Sequence, residues 1–544
     1  MTPAHDVASE SRLTRKQIIL SLVSIFVLYF AMSFFLQAFG IARPRIAADL
    51  DGMALYSWSL SIPGLAAAFV TLLFSKFSDM YGRRIMLLIC TILAMAGTIC
   101  SALAPTYAIL IVGDTVSRLG TGALMPLSYA VLGDMFEPVL RSKWVGLLRI
   151  PQGILALLGP TIGGWFVDNM SWRHLYWLGV PFLVVCLFLV PMGVPPAGKT
   201  SGRKIDVLGA LLVAIASSTT ILGLSFAGTT YPWGSVQIVS LLGVALLFWV
   251  LFFRAEEHAE EPIMDPQVFR NRTFLTVSIS GMLSFIGLTA MLMYYPIYLQ
   301  GVKNISAMQS GQILTPFTVL MALVGLPTGF VLAKTKRYKW MYVSGYGLLT
   351  AAIFWVAFFD SETSVFATVL AATFAGLGLG AIPTLNTIVV QLAVPKRLLG
   401  ASMGALYFSI TLGTAIAPAV LGSVMNSAYT KKLETTLPAG VHQFVDKSTI
   451  AALGDPDALL SPAAMTALES DFAKEASYEP DLFRRTVEAM RESTQAGLSV
   501  VFLLGAVTML ISFLLIVTVP EISMDAVVED KKPLQPALVE ESSE

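Results

Sequence analysis

Charge is scarce in this chain. Only 13% of its 544 residues are Asp, Glu, Lys or Arg, against about 25% in a soluble domain. The formal net charge is zero, so there is no basic face to attract nucleic acid. Cysteine is rarer still. Cys90, Cys100 and Cys186 stand apart, with neither metal-ligand nor disulfide spacing. The four histidines, His5, His174, His258 and His442, are scattered. With no nucleophile motif or phosphate loop beside them, the common enzyme classes fall away. Strand-like alternation of apolar and polar residues is also missing, which argues for a helical bundle and against a membrane barrel.

Apolar sequence is abundant: 56% of residues are hydrophobic and the mean hydropathy is +0.74. A transmembrane helix needs about 20 mostly apolar residues. Fourteen stretches qualify: 18–40, 56–77, 85–103, 107–133, 144–166, 175–194, 207–226, 236–253, 274–299, 311–333, 341–359, 364–392, 400–425 and 496–519. Arg12, Arg15 and Lys16 precede the first, as in a signal peptide. That run is too long and lacks a clean cleavage site, so it reads as a retained span. With the N-terminus inside, segments on the cytoplasmic side hold 22 basic residues and the short outer loops hold 4. This bias predicts both termini in the cytoplasm of a cell inner (plasma) membrane protein.

The spans group as six, two and six. The expected organisation is a cytoplasmic tail (1–17), an N-terminal six-helix bundle (18–194), a linker with two inserted helices (195–273), a C-terminal six-helix bundle (274–519) and a disordered acidic tail (520–544). The C-terminal bundle includes a long outer loop, 427–495. There Ser461 and Pro462 predict a helix start, "EPDLFRRTVEAMREST" predicts a second helix leading into the last span, and the whole reads as a small helical cover. The two bundles echo each other: a basic cluster and two prolines frame both the fifth span (Pro138 to Pro160) and the thirteenth (Pro395 to Pro418). Internal repeats around a central site mark secondary transporters.

Intramembrane charge is costly and defaults to function. Asp114 and Arg118 lie in the fourth span, four residues apart, on one helix face where they can pair. They read either as a structural bridge or as a proton-exchanging acid with its charge partner. Only the acid can be the carrier, because Arg does not deprotonate. Arg149, in the fifth span, either snorkels to the surface or lines a cavity with Gln152. Spans seven to fourteen contain no acid or base. They offer Tyr294, Tyr295, Tyr298, Asn386, Gln391 and Tyr407 instead, and Tyr294, Asn386 and Tyr407 are the cavity candidates in that half.

The short loop "SKFSDMYGRRIML" carries Asp79, Gly82, Arg83 and Arg84. Here the chain resembles the major facilitator superfamily, whose loop between spans two and three has Gly-x-x-x-Asp-(Arg)-x-Gly-Arg-Arg. Ser75 and Met80 depart from that pattern. The resemblance implies that Asp79 latches the outward-facing state. "GILALLGPTIGGWFVDNMSWRHLYWLGVP" is more specific. Gly153, Gly159, Pro160, Gly163 and Gly164 resemble the antiporter motif of the superfamily's drug:proton antiporters, in particular the fourteen-span branch. "DPQVFRNRTF" and "PIYLQGVKNISAMQSG" resemble that branch as well.

The branch usually has an acid in span one, where Phe35 stands here, leaving Gln37 as the polar inner residue; both are cavity candidates in that half. It has an Arg in span four. Alignment on Pro126 puts Asp114 there and also brings "GDMF" at 133–136 into register; alignment on Gly120 and Gly122 brings Arg118 nearer. The resemblance implies an all-α membrane protein of major facilitator type, with two six-helix bundles plus two inserted helices. It implies a monomer that exports small amphipathic or drug-like molecules in exchange for protons. Its partners are then the substrate, protons and the lipid bilayer, with room for an accessory periplasmic protein, and it uses no cofactor beyond the proton gradient. Import or exchange of a small organic anion drawn to Arg118 and Arg149 is the nearest rival. A membrane sensor that moves nothing fits the same sequence, and a flux assay separates it.

Overall fold

The computed structural model describes residues 15–50, 55–195, 206–227, 231–260, 262–305, 307–446, 449–450, 453–454, 459, 462–475 and 481–522. Among them the fold is all helix, apart from an isolated bridge between Ala227 and Tyr231. The expected tail beyond Ile522 and most of the 195–205 linker lie outside the described residues. Eleven helices among the described residues are long and apolar enough to cross a bilayer. Their outer faces are oily: Val239, Leu246, Leu247, Val250 and Phe253 of one helix are all exposed, a surface that suits lipid.

The chain divides into two compact units, Met1–Met135 with Leu157–Arg203, and Phe136–Ala156 with Lys204–Glu544. The first contains α1 (Arg15–Asp49), α2 (Tyr56–Tyr81), α3 (Arg83–Ala102), α4 (Tyr107–Met135), the later part of α6 (Arg149–Asn169) and α7 (Arg173–Gly193). Gly82 makes the turn between α2 and α3 at φ 95°, a conformation that side chains with a Cβ rarely adopt. The antiparallel pair α3 and α4 packs backbone to backbone. A Cβ on Gly97 would lie 2.1 Å from the Ser117 amide nitrogen, so only glycine permits the approach. α1 lies along α7, with Ser21 Oγ donating to the Gly193 carbonyl at 2.6 Å. It also meets α4 through the buried phenols of Tyr29 and Tyr129, 2.9 Å apart.

The second unit holds α5 (Pro138–Leu147), the start of α6, α8 (Val207–Phe226), α9 (Val236–Glu256), the short α10 (Pro266–Arg270) and α11 (Arg272–Thr289). α11 continues through two π-helical turns, Ala290–Tyr294 and Tyr298–Val302, that flank α12 (Tyr295–Ile297). Then come α13 (Ala307–Leu323), α14 (Gly325–Thr335), α15 (Lys339–Val356), α16 (Val365–Ala393) and α17 (Leu399–Thr436). Side-chain caps start several of these: Asp206 accepts from Gly209 N at 2.7 Å, Asn271 from Phe274 N at 3.0 Å and Ser364 from Ala367 N at 3.2 Å. Each is worth about 1 kcal/mol. α8 and α9 pack on one another and dock on α17, where Trp249 meets Phe408 and Trp233 Nε1 donates to Ser423 Oγ at 2.6 Å.

The stretch read as an outer loop is largely helix. α17 runs on to Thr436, followed by α18 (Ala439–Phe444), α19 (Pro462–Glu475) and α20 (Leu482–Val517), which enters the last apolar stretch without a break. α19 begins at Pro462, as expected. This region has its own core of Tyr429, Leu433, Val441, Val445, Leu453, Leu468, Phe472, Leu482 and Met490. The stretch read as one fifth span is in two pieces, α5 and α6, joined at Leu148.

Candidate functional site

α4 carries Asp114 and Arg118 one turn apart. The direct pair expected from that spacing is not what holds the carboxylate. Asp114 Oδ1 accepts from Ser101 Oγ of α3 at 2.9 Å and from Tyr176 OH of α7 at 3.0 Å. Arg118 acts on it through space and, among the described residues, donates no hydrogen bond. A second guanidinium joins them. Arg43 interacts electrostatically with both Arg118 and Tyr176. It lies beyond the apolar stretch 18–40, yet α1 continues to Asp49 and places Arg43 on the helix. Its one hydrogen bond among the described residues is a long one, 3.4 Å to the Ser59 carbonyl.

Neighbouring contacts fix the helix ends on this side. Tyr107 OH donates to Ser59 Oγ at 2.8 Å, and Arg173 donates to the Ala104 carbonyl at 2.9 Å with its guanidinium 4.3 Å over Trp172. The Tyr176 ring lies 4.3 Å from Phe39. One carboxylate, two guanidiniums and an aromatic wall therefore share the interior of the first unit.

The remaining candidates in this unit separate. Phe35 sits between α1 and α7, its ring lying where a Cβ on Gly179 would fall, with Phe34 and Phe39 on either side. It packs the α1–α7 seam. Gln37, Arg149, Pro160 and Gly164 are in helices, but their side-chain surroundings fall outside the described residues. Gln152 is half-buried on α6.

The Asp79 turn forms a charge cluster. Arg83 pairs with Asp79 at 2.5 Å and with Asp134 of α4 at 2.8 Å, and also donates to Ser78 Oγ at 2.5 Å. Arg84 is half-buried beside it. Asp134, in the "GDMF" segment, was not among the expected residues. The antiporter-motif glycines act as contact points. A Cβ on Gly163 would lie 2.2 Å from the Ala38 carbonyl of α1, and one on Gly153 would lie 2.6 Å from Leu323 Cδ2 of α13. Gly159 is buried on the same helix.

In the second unit the expected polar residues are neutral, although Arg141 and Glu256 are buried charges elsewhere in it. Asn386 of α16 is buried and accepts a hydrogen bond from Tyr342 of α15, while Thr387 and Tyr407 of α16 and α17 lie 3.2 Å apart. Tyr342 was missed because it sits in an aromatic run that reads as packing. Tyr294 is buried, its hydroxyl beside Gly422. Tyr295 and Tyr298 are tied down, donating to the carbonyls of Thr368 and Asp360 at 2.8 Å each. A groove of about 270 Å³ lies between α14, α15 and α16, lined by Pro327, Thr328, Trp340, Ser344 and Ala381 among others. It contains none of the expected residues.

Comparison with known proteins agrees with this arrangement. The family model described as Major Facilitator Superfamily matches residues 25–418. The chain is 28% identical to the multidrug transporter protein MdtP of Bacillus subtilis (strain 168), across 71% of this chain and 72% of that one. It is 25% identical to multidrug resistance protein 3 of the same organism (87% and 89% covered) and 26% identical to the efflux pump FUS6 of Gibberella fujikuroi (87% and 84%). Among solved structures, the human organic anion transporter MFSD10 superposes with a TM-score of 0.55 at 13% identity, covering 92% of this chain and 99% of that one. At that identity the likeness concerns the fold alone. With a family model spanning well over half its length, this all-helical, multi-pass membrane chain belongs to the major facilitator superfamily of transporters, which are not enzymes and bind small-molecule substrates within the membrane.

Proposed function

We propose that this protein exports small amphipathic compounds in exchange for protons, by alternating access, as a fourteen-span monomer with both termini cytoplasmic in the plasma membrane. The observation that carries the reading is Asp114. It is a carboxylate within an apolar helix, held through one oxygen by Ser101 and Tyr176. An acid in that setting can take up and release a proton as its surroundings change, whereas Arg118 cannot. Proton and substrate competing for one group is the simplest basis of exchange, since each then leaves only when the other can arrive. The named multidrug and efflux relatives support the direction.

Asp79 serves as a conformational latch in this reading, its charge balanced by Arg83. Asp79→Asn slows turnover and leaves substrate binding intact.

The deciding measurement is substrate-dependent proton movement in proteoliposomes. Asp114→Asn keeps a neutral hydrogen-bonding group of similar shape. It abolishes transport driven by a pH gradient and leaves gradient-free substrate exchange in place. Wild-type dependence on the pH gradient in Asp114→Asn would reduce the acid to a structural role.

A further inference from the structure

We infer that the substrate of this transporter carries both a basic nitrogen and an acidic group, and that Asp114 and Arg118 receive them as a matched pair. The inference rests on the reading of Asp114 as the coupling group and adds the chemistry of what that group binds.

Three observations combine. First, the two hydrogen bonds to Asp114 converge on Oδ1, and among the described residues Oδ2 accepts none. Second, Arg118 has five donors and, among the described residues, uses none of them on the protein. A guanidinium drawn into the interior of a bundle needs oxygen partners, and a bidentate carboxylate is the group its fork fits best. Third, Arg43 adds a second positive charge within range of the first. Ionised Asp114 neutralises one guanidinium and leaves one over.

Each simpler substrate fails on a stated count. A purely cationic compound meets one carboxylate and two guanidiniums, so the site repels it on balance. A purely anionic compound is attracted, but its charge beside Asp114 favours the protonated acid. Proton and substrate then load together, which is cotransport and not exchange. An amphoteric compound satisfies both groups. Its ammonium takes Oδ2 of Asp114 in competition with the proton, and its carboxylate takes Arg118. Residues at i and i+4 on a helix have Cβ atoms about 5–6 Å apart. That spacing suits charged groups separated by a few bonds.

The test uses the full-length purified protein and three probes of one scaffold: 4-amino-3-phenylbutyrate with both charges, 3-phenylbutyrate with the acid alone and 2-phenylpropylamine with the amine alone. Binding is read by ligand-dependent thermal stabilisation, and transport by flux into proteoliposomes. The amphoteric probe is expected to bind at least tenfold tighter than either partner. Arg118→Gln should lower its affinity to that of the amine while leaving the amine unchanged or tighter. Asp114→Asn should lower it to that of the acid. If Arg118→Gln does not fold, Arg118→Lys replaces it; that variant keeps the charge, loses the fork and should retain part of the preference. Equal binding of the amine and the amphoteric probe would overturn the inference, as would equal binding of the acid and the amphoteric probe, or no binding of any of the three. Asp114-dependent, proton-coupled export of a neutral amphipath by a protein that ignores all three probes would sink this inference alone. Loss of proton coupling altogether would sink the reading beneath it.

Discussion

α4 in the first unit and α16 in the second are both 29-residue helices with an internal proline, and both bring polar side chains into apolar surroundings. On α4 these are Asp114 and Arg118, two full charges that share space with Arg43. On α16 they are Thr384, Asn386, Thr387 and Gln391, which carry no charge. The charged helix leaves donors and an acceptor oxygen open, whereas Asn386 and Thr387 have partners close by in Tyr342 and Tyr407. The neutral set is satisfied at Asn386 and Thr387 but not throughout, since Thr384 Oγ1 is buried with no hydrogen-bond partner among the described residues. A charged one left open calls for something to complete it. In the proposed reading the charged pair of α4 does the coupling, and the neutral residues of α16 take no part in it.

The largest effect expected concerns packing. Gly97→Leu must push α3 from α4, because even a Cβ would overlap the Ser117 backbone. Folded protein should be lost, at a cost above about 3 kcal/mol. Gly281→Ala in the second unit meets only the Asn386 amide at 3.2 Å and Ile410 at 3.5 Å; it should cost about 1 kcal/mol or less. Size-exclusion profiles in detergent separate the two, and equal tolerance would contradict the different space at these two glycines.

Next come the two tyrosines that serve the two helices. Tyr342→Phe strands a buried amide oxygen and should destabilise by about 1–3 kcal/mol, with no movement of the pH profile of transport. Tyr176→Phe removes one of two hydrogen bonds to Asp114 and should move that profile. A shifted profile in Tyr342→Phe would abolish the proposed division of labour.

A smaller loss is expected from Arg173→Ala. It releases the Ala104 carbonyl and the stacking on Trp172, for about 1–2 kcal/mol. Thermal unfolding in detergent measures it, and Arg173→Lys should recover little.

The smallest effect is a pH response between α15 and α16. The Thr363 hydroxyl, followed by backbone amides including that of Glu362, holds the exposed Asp360 carboxyl below its ordinary range. A lowered value in the folded state stabilises fully above about pH 3.9, the unfolded value. It is lost as pH falls through the lowered value. Asp360→Asn should flatten that acid limb of the thermal midpoint, and an unchanged limb would assign it to other carboxylates.

The helices were legible because apolar runs of bilayer length leave few alternatives. Their ends were less so. Arg43 lay beyond the last apolar residue of its run, yet backbone hydrogen bonding carries α1 on to Asp49. The break at Leu148 lies between Gly146 and Pro151, a helix-breaking signal inside what otherwise reads as one apolar run. Of the site, Asp114 and Arg118 stood out as charges in an oily segment. Their relation did not, since helical spacing shows only that two residues can meet. Ser101 and Tyr176 come from other helices and compete successfully for the carboxylate. The motif glycines could be read as points of close approach, though which helix each one meets could not.

The two long helices that frame the 427–495 insertion have a mechanical consequence. α17 has 38 residues and α20 has 36, which at about 1.5 Å per residue gives rods of about 57 and 54 Å. The hydrocarbon layer takes up about 30 Å, so roughly 25 Å of each stands clear of it. A shared core and the Lys432–Glu492 bridge at 2.8 Å clamp the protruding ends together. The insertion is therefore a handle forged onto the transport helices. A tilt of α17 within the lipid is copied to a water-soluble surface, where an antibody fragment could grip it or a pair of fluorophores could report each turnover from outside the membrane.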